Sequence, residues 1–138
     1  MTTLPKPVRR LRPRKPIARK SRPAKVRKTS RSKLKRQADK LWSEIVRSAG
    51  KCRICGSAER LQAAHGFSRR YLGTRHDLRN GWCLCSGCHL TMGYRAIEWD
   101  MFMHKELGQE LYQKLREQAL ARCVPDYEAI IERLRAIA

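Results

Sequence analysis

The sequence of 138 residues predicts one small α+β domain preceded by a basic tail. Three observations lead to this prediction. Two Cys-x-x-Cys pairs bracket a segment too short to bury a core of its own, apolar residues recur at helical spacing on both sides of it, and the first 36 residues contain no acidic side chain. The fold class follows from the first two observations and the tail from the third.

The tail has the strongest compositional bias in the chain. Residues 1–36 hold 16 of the 32 Lys and Arg and 5 of the 6 prolines, whereas residues 37–138 hold the other 16 basic residues and all 12 acidic ones. Of the net charge of +20, only +4 therefore belongs to residues 37–138. Because such a tail cannot bury enough apolar surface to fold alone, residues 1–32 are predicted to be a disordered arm and residues 33–138 a folded domain.

The four paired cysteines, Cys52, Cys55, Cys85 and Cys88, are the strongest metal signal in the sequence. Two thiolate pairs separated by 29 residues can close a tetrahedral zinc site, and with four thiolate ligands that zinc would be structural. The chain shows neither a signal-peptide core nor an apolar run of membrane-spanning length. We therefore expect a cytoplasmic protein with reduced cysteines and no membrane partner.

The predicted elements are a helix, a hairpin and then several helices. In chain order they are a helix over about Ser32–Ala49, strands Leu61–His65 and Gly81–Leu84 on either side of the loop Gly66–Arg79, and helices from Ser86 onward, over Ala96–Leu107, over Leu111–Cys123 and over Pro125–Ile137. Residues 52–95 would form a zinc-stapled ββα core, and residues 96–138 a helical C-terminal part.

Three side chains inside or beside the cysteine-bracketed segment are candidates for chemistry. His65 ends the first predicted strand, Asn80 precedes the second, and His89 lies in the first turn of the helix that follows. In a ββα unit the end of the first strand and the start of the helix face the same cleft. A neutral His65 there could take a proton from water, while His89 binds a divalent ion and the loop residues Arg69 and Arg70 hold a phosphate.

The order His65…Asn80…His89, threaded between the cysteine pairs as Asn80-Gly-Trp-Cys-Leu-Cys85-Ser-Gly-Cys88-His89, resembles the HNH (His-Me finger) nucleases with their ββα-metal fold. Within that group the chain is similar to phage recombination endonucleases of the NinG/Rap type. These share a basic N-terminal region, a CxxCG opening, a His followed by Ser/Tyr-Arg and a Gly-Gln-Glu turn, here Gly108-Gln109-Glu110. The resemblance covers about residues 40–135 and is most specific over 52–89.

The resemblance implies a role for each of the three residues. His65 would be the general base that activates water, and Asn80 would orient that base and brace the loop. His89 would hold a catalytic Mg²⁺ or Mn²⁺ against the scissile phosphate and the leaving oxygen. The implied activity is metal-dependent hydrolysis of DNA phosphodiester bonds, directed by DNA structure or weakly by sequence, in phage recombination or DNA processing.

The expected partner is DNA, with branched or single-stranded regions as the substrate that the resemblance implies and nicking of plain duplex as a close variant. Arg69, Arg70 and Arg75 are expected to contact it, and base stacking by Phe67 or Tyr71 stays open. The resemblance places the protein in the cytoplasm of a bacterial host, encoded by a phage or prophage. The C-terminal helices could supply a homodimer interface, although their apolar spacing fits intramolecular packing equally well.

One departure from the HNH pattern concerns the residue before the base. Many HNH enzymes have an acid or a second histidine there as a further metal ligand, whereas this chain has Ala64. The ion would then rest on His89, substrate phosphate and water, so weak metal affinity without DNA is expected. Asp77 is a candidate for another ligand, although capping of the turn before Asn80 is the preferred interpretation.

The alternative function is a zinc-ribbon protein that binds nucleic acid without catalysis. Such a protein would share the basic arm and the paired cysteines but has no need for His65 together with Asn80 and His89. The side chains expected to stay outside the chemistry are Cys83 and Cys123 as buried free thiols, His76 as a solvated loop residue and His104 as a helix-surface residue.

The tail yields the first testable prediction. Deleting residues 1–30 should weaken DNA binding and flatten its dependence on salt, because each Lys or Arg that neutralises a phosphate releases a counterion. Slow cleavage at low salt should survive. Binding isotherms and cleavage assays over a salt series, with the full chain as control, measure both effects. Loss of cleavage at every salt concentration would mean instead that the arm helps to build the site.

Overall fold

The computed structural model describes residues 30–138, and the predicted arm over residues 1–32 lies outside this part except for its last three residues. Within the described part the fold is α+β, as predicted, with five α-helices and a two-stranded sheet. The elements are α1 (Arg31–Arg47), β1 (Leu61–His65), β2 (Gly81–Cys85), α2 (Ser86–Tyr94), α3 (Ala96–Leu107), α4 (Gln109–Leu120) and α5 (Tyr127–Ile137), with a 3₁₀ turn at Leu78–Asn80 before β2. None of the helices in residues 30–138 combines the length and apolarity needed to span a bilayer.

The predicted boundaries hold well up to α3 and shift after it. α4 begins directly after Gly108, whose positive φ of 73° breaks the helical path, and it ends at Leu120 rather than at Cys123. α5 starts at Tyr127 and not at Pro125. The reason is its cap, since the Asp126 carboxylate accepts hydrogen bonds from the backbone N–H groups of Glu128 and Ala129, each at 3.1 Å.

The hairpin is antiparallel, with Leu61 opposite Cys85 and His65 opposite Gly81. Because side chains alternate along a strand, Ala63 on β1 and Cys83 on β2 face α1, whereas Ala64 and its neighbours face the paired cysteines. His65, two residues beyond Ala63, lies on the α1 side of the sheet. The two faces of this small sheet therefore pack against different parts of the protein.

α1 lies between the hairpin and α5. Its fully buried face consists of Ala38, Trp42 and Val46, which recur at intervals of four residues. Trp42 and Val46 pack with Cys83 of β2 and Leu134 of α5, and Ala38 packs with the start of α5. The buried apolar clusters on this side of the hairpin are thus organised around a single amphipathic helix.

α3 covers the opposite side of the hairpin through aromatic contacts. Trp99 and Phe102 stack on each other at 5.3 Å between ring centroids, and both meet the ring of Trp82 on β2 edge to face. Trp99 also donates a hydrogen bond from its indole N–H to the carbonyl of Gly66, at 3.0 Å. Met103 of the same helix is also buried, whereas Met101 is exposed.

Gly81 marks the closest approach of the hairpin to α1. A Cβ atom at this position would lie 2.5 Å from Val46 Cγ2 and 2.9 Å from Trp42 Cζ2, so only glycine lets the strand pass. We expect Gly81→Ala to lower the free energy of unfolding by about 1–3 kcal/mol, because the helix and strand must move apart. Urea denaturation followed by circular dichroism measures this loss.

Gly87→Ala is the matched control for this substitution. No atom of the described chain beyond its own neighbourhood lies within 4 Å of a Cβ at Gly87, so the change should stay within about 0.5 kcal/mol. Equal stability of the two variants would contradict the packing of α1 on β2.

Candidate functional site

The four paired cysteines converge at the end of the hairpin. Cys52 and Cys55 lie on a tight turn before β1, which is closed by a hydrogen bond of 2.9 Å from the N–H of Gly56 to the carbonyl of Cys52. Cys85 ends β2 and Cys88 lies in the first turn of α2. All four sulfur atoms lie within 4.8 Å of one another.

The spacing of these sulfurs suits a zinc ion. Zn–S bonds of about 2.3 Å in tetrahedral geometry separate the sulfurs by about 3.8 Å, and the Sγ atoms of Cys55 and Cys85 lie 3.7 Å apart. The cluster can therefore hold a metal ion such as zinc, as the sequence predicts. Four thiolate ligands would leave that ion no open position for catalysis, so its role would be to join the turn, β2 and α2.

The surroundings of the thiols differ strongly from one another. Burial alone would raise the pKa of Cys52, but backbone N–H groups, chiefly that of Cys55, lower it to about 6. Burial and the neighbouring sulfurs of Cys85 and Cys55 raise the pKa of Cys88 to about 12. Thiolates this close repel one another, so in the absence of a metal some of the four sulfurs keep their protons. A bound dication would offset the repulsion and hold all four as thiolates.

A second feature, which we call the cleft, opens between α1, the end of β1, the following loop and α2. It has a volume of about 390 Å³. Its lining residues are Asp39, Trp42 and Ser43 from α1, Ala63 and His65 from β1, Arg69 and Arg75 from the loop, and His89 from α2. The structure thus brings the two histidines singled out in the sequence to one cavity, together with two of the three arginines.

His65 is held in one orientation in this cleft. Its ring stacks on the indole of Trp42, with 4.0 Å between centroids and 16° between planes. Its Nε2 lies 3.0 Å from the carbonyl oxygen of Arg75. Because a carbonyl only accepts, Nε2 carries the proton of the neutral ring and Nδ1 keeps the lone pair.

The electrostatic surroundings favour this neutral form of His65. Burial lowers the pKa of the imidazole below its ordinary value, and the positive charge of Arg75 lowers it further, against the opposing effect of the Arg75 carbonyl. Above pH 6.5 the ring is therefore uncharged and able to accept a proton.

A partly buried ion pair fixes the loop that follows His65. Arg75 is only 8% exposed, and its Nε and Nη2 donate to the two carboxylate oxygens of Asp39, each at 2.8 Å. Nη1 of Arg75 donates to the carbonyl of Arg69 at 2.7 Å, and Nε2 of His76 lies 2.8 Å from Asp39 Oδ1. Burial alone would raise the pKa of Asp39, but the hydrogen bonds from Arg75 and His76 lower it below its ordinary value. A charged Asp39 on α1 therefore ties down the backbone whose carbonyl orients His65.

One expectation about this loop is wrong, and another stays a prediction. His76 was expected to be solvated and is instead 3% exposed, because Asp39, 37 residues earlier, supplies a partner that no local pattern reveals. Arg75 was expected to contact DNA. That role stays a prediction, but the three hydrogen bonds of its guanidinium all go to groups within the protein.

Asn80 braces the loop from the inside. It is fully buried, and its Oδ1 accepts a hydrogen bond from the N–H of Phe67 at 2.6 Å. Its Nδ2 donates to the carbonyls of Phe67 and Thr74, at 3.0 and 3.1 Å. Since its own carbonyl also accepts from the N–H of Gly66 at 2.9 Å, Asn80 acts on the residue directly after His65 and does not line the cleft.

His89 has a similar arrangement to that of His65. Its Nδ1 lies 2.7 Å from Oε1 of Gln62 on β1. An amide oxygen only accepts, so Nδ1 carries the proton and Nε2 keeps the lone pair. Second-shell hydrogen bonds of this kind orient histidines for metal binding. Gln62 has no recognisable signal in the sequence, because its link to position 89 arises from the packing of α2 on the hairpin.

The remaining candidate residues lie in the loop between the two strands. Arg69 and Arg70 are exposed, as a phosphate contact requires. Asp77 caps the 3₁₀ turn before β2, accepting from the N–H of Arg79 at 2.9 Å, as preferred from the sequence. Phe67, considered for base stacking, packs against Tyr112.

Three more residues complete the comparison with the sequence. Cys83 is buried as expected, but Cys123 is exposed because the chain has left α4 three residues earlier. His104 is not incidental to the fold, since its ring stacks on Tyr112 at 3.6 Å between centroids.

Comparisons of the chain with protein-family models, with curated proteins and with solved structures found no match. The fold and the site define the class on their own terms: an α+β protein with a four-cysteine cluster that can hold a metal and a cleft with two oriented histidines. The function is therefore argued from the cleft itself.

The cysteine cluster yields a prediction about metal content. The protein as purified should contain about one zinc per chain, and Cys55→Ser should lose it and unfold at lower temperature, because binding energy at a structural zinc site is folding energy. Elemental analysis and thermal unfolding measure the two effects. Cys123→Ser, at an exposed thiol outside the cluster, is the control that should keep both values. A metal-free Cys55→Ser variant as stable as the parent would contradict a structural role.

Proposed function

We propose that this protein is a divalent-metal-dependent endonuclease of the HNH type that hydrolyses phosphodiester bonds in DNA. One observation carries the proposal. His65 and His89 line the same cleft, and each has one ring nitrogen bonded to an oxygen acceptor of the protein, which leaves the other nitrogen with its lone pair. A general base and a metal ligand both require a ring nitrogen that is oriented in this way.

His65 would act as the general base. Its Nδ1 takes a proton from the attacking water as the new P–O bond forms and the bond to the leaving oxygen breaks. Stacking on Trp42 and the bond to the Arg75 carbonyl hold the ring in place, so little reorganisation is needed as the proton moves. The lowered pKa keeps the ring of His65 neutral, and its Nδ1 free of a proton, at neutral pH.

His89 would hold the divalent ion through Nε2. Such an ion, when bound, neutralises charge that develops on the phosphate and the leaving oxygen. A single imidazole is a modest site: among residues 30–138, the paired cysteines alone form a group of three or more metal-binding side chains. The donor set fits an ion that also takes phosphate oxygens and water, and nitrogen ligation favours Mn²⁺ over Mg²⁺. We therefore expect the ion to bind weakly in the absence of DNA.

DNA binding rests on charge. The net charge of +20 attracts a polyanion, and Arg69 lies at the cleft where a phosphate would enter. The basic residues 1–36 would add affinity without sequence preference, because phosphate contacts carry no base information. A role in phage recombination or DNA processing is the biological setting that we propose from the resemblance to NinG/Rap-type enzymes.

A non-catalytic zinc protein that binds nucleic acid is the second candidate. The observation that favours it is Ala64, which is 2% exposed and supplies no ligand where many HNH enzymes have one. The oriented ring nitrogens of His65 and His89 argue for catalysis, since binding alone would not require them.

The activity itself is the next prediction. The full chain should nick plasmid DNA with Mn²⁺ or Mg²⁺ and not with EDTA. His65→Ala should slow cleavage about 10²- to 10⁴-fold by removing the base, while DNA binding stays intact. Because the pKa of His65 is lowered, the wild-type rate should fall with acidification only below pH 6.5, as the ring gains its proton. Single-turnover rates against pH measure this.

The control is His104→Ala, which removes a histidine that does not line the cleft. It should leave the cleavage rate close to that of the parent, provided that thermal unfolding shows a folded variant. A protein that retards DNA and never cuts it with any divalent ion would favour the non-catalytic candidate. Intact cleavage by His65→Ala would refute the role of that residue.

A further inference from the structure

A second cavity adjoins the cleft through His89. It has a volume of about 500 Å³ and is lined by Gln62 and by one face of α2. Its α2 residues are Ser86, His89, Leu90, Gly93 and Tyr94. We call this cavity the groove. The imidazole of His89, bonded to Gln62, lies between the two cavities and belongs to the lining of both.

The groove has an unusual surface for a water-exposed helix. Tyr94 is 84% exposed and Leu90 is 64% exposed, four residues apart on neighbouring turns. Gly93 lies one turn beyond His89 on the same face. No atom of the described chain outside its own helix and neighbours lies within 4 Å of a Cβ at Gly93. Glycine has a low helix propensity, and at this position in the last turn of α2 it leaves open space beside the exposed ring of Tyr94.

Resting on the proposed function, we propose that the groove binds an unpaired nucleobase next to the scissile phosphodiester, stacked on the ring of Tyr94. The occupant follows from position. A phosphodiester held at His89 must continue into the cavities on either side, and the groove is one of them. Tyr94 lies five positions after His89 in α2, about 7.5 Å along the helix axis, which is within one or two nucleotides of the cut.

The charge and shape of the groove agree with this occupant. None of its lining residues is acidic. Arg95, exposed directly after Tyr94, offers a cation for the next phosphate and, within residues 30–138, has only a long contact of 3.9 Å with the exposed carboxylate of Glu98. Aromatic side chains bind the face of any base, so such a subsite favours no particular sequence. In a duplex both faces of a base are covered by its neighbours. Stacking on Tyr94 therefore requires a base that is unpaired or at an end.

The experiment uses the full chain carrying His65→Ala, so that DNA is bound and not cut. Single-stranded and duplex oligonucleotides with one 2-aminopurine report affinity by anisotropy and stacking by quenching of the base. Tyr94→Ala should weaken single-strand binding at least fivefold and remove the quenching, with duplex binding unchanged, whereas Tyr94→Trp should retain both. Gly93→Ala should raise the thermal unfolding midpoint and yet weaken single-strand binding, a combination that a purely structural role would not produce.

Met101→Ala is the matched control, since it removes an apolar side chain of α3 that is 66% exposed and does not line the groove. It should leave binding and quenching unchanged. Equal losses on single-stranded and duplex DNA, no loss for Tyr94→Ala, or a dimer in sedimentation that Tyr94→Ala dissociates would each overturn this inference. Quenching by a protein that never cuts DNA when His65 is present would overturn the proposed endonuclease and leave base binding at Tyr94 standing.

Discussion

A hairpin of two strands is marginal in water, and the whole candidate site is built on one. Both of its faces must be covered, and they are covered by different means. On one face the cysteine cluster and the aromatic side chains of α3 surround Ala64 and Leu84. On the other face α1 packs Trp42 and Val46 against Cys83. His65 lies at the end of one strand and His89 beyond the end of the other, so the distance between them depends on the hairpin staying intact.

The bidentate ion pair of Asp39 and Arg75 also holds the site together, by an electrostatic contact. Removing one partner of such a partly buried ion pair leaves the other charge without its partner, which is destabilising. Here the pair joins the middle of α1 to the loop after β1, and the carbonyl of Arg75 in turn orients His65. Stability and the orientation of His65 are therefore linked through one residue, Arg75.

The sequence predicts the local parts of this fold well. The cysteine pairs, the two short strands and the helix Ala96–Leu107 follow from spacing and apolar pattern, and the structure has them within about one residue. The sequence does not reveal side-chain partners that are distant along the chain. Asp39 meets His76 across 37 positions, and Gln62 meets His89 across 27. No periodic pattern encodes such pairs, because they arise only when α1 and α2 dock on the hairpin. For the same reason His76 reads as a loop residue in the sequence and is buried in the fold.

α1 connects the basic N-terminal residues directly to the cleft. The helix begins at Arg31, directly after the Lys- and Arg-rich residues in sequence, and eight positions later it contributes Asp39 to the cleft. A 17-residue helix is a stiff rod of about 25 Å. A ligand bound by the residues before Arg31 would therefore act on the same helix that lines the cleft. A change in chain length before Arg31 would change only how far those residues extend. A residue inserted between Arg31 and Asp39 would instead rotate the start of α1 by about 100° around the helix axis relative to the cleft.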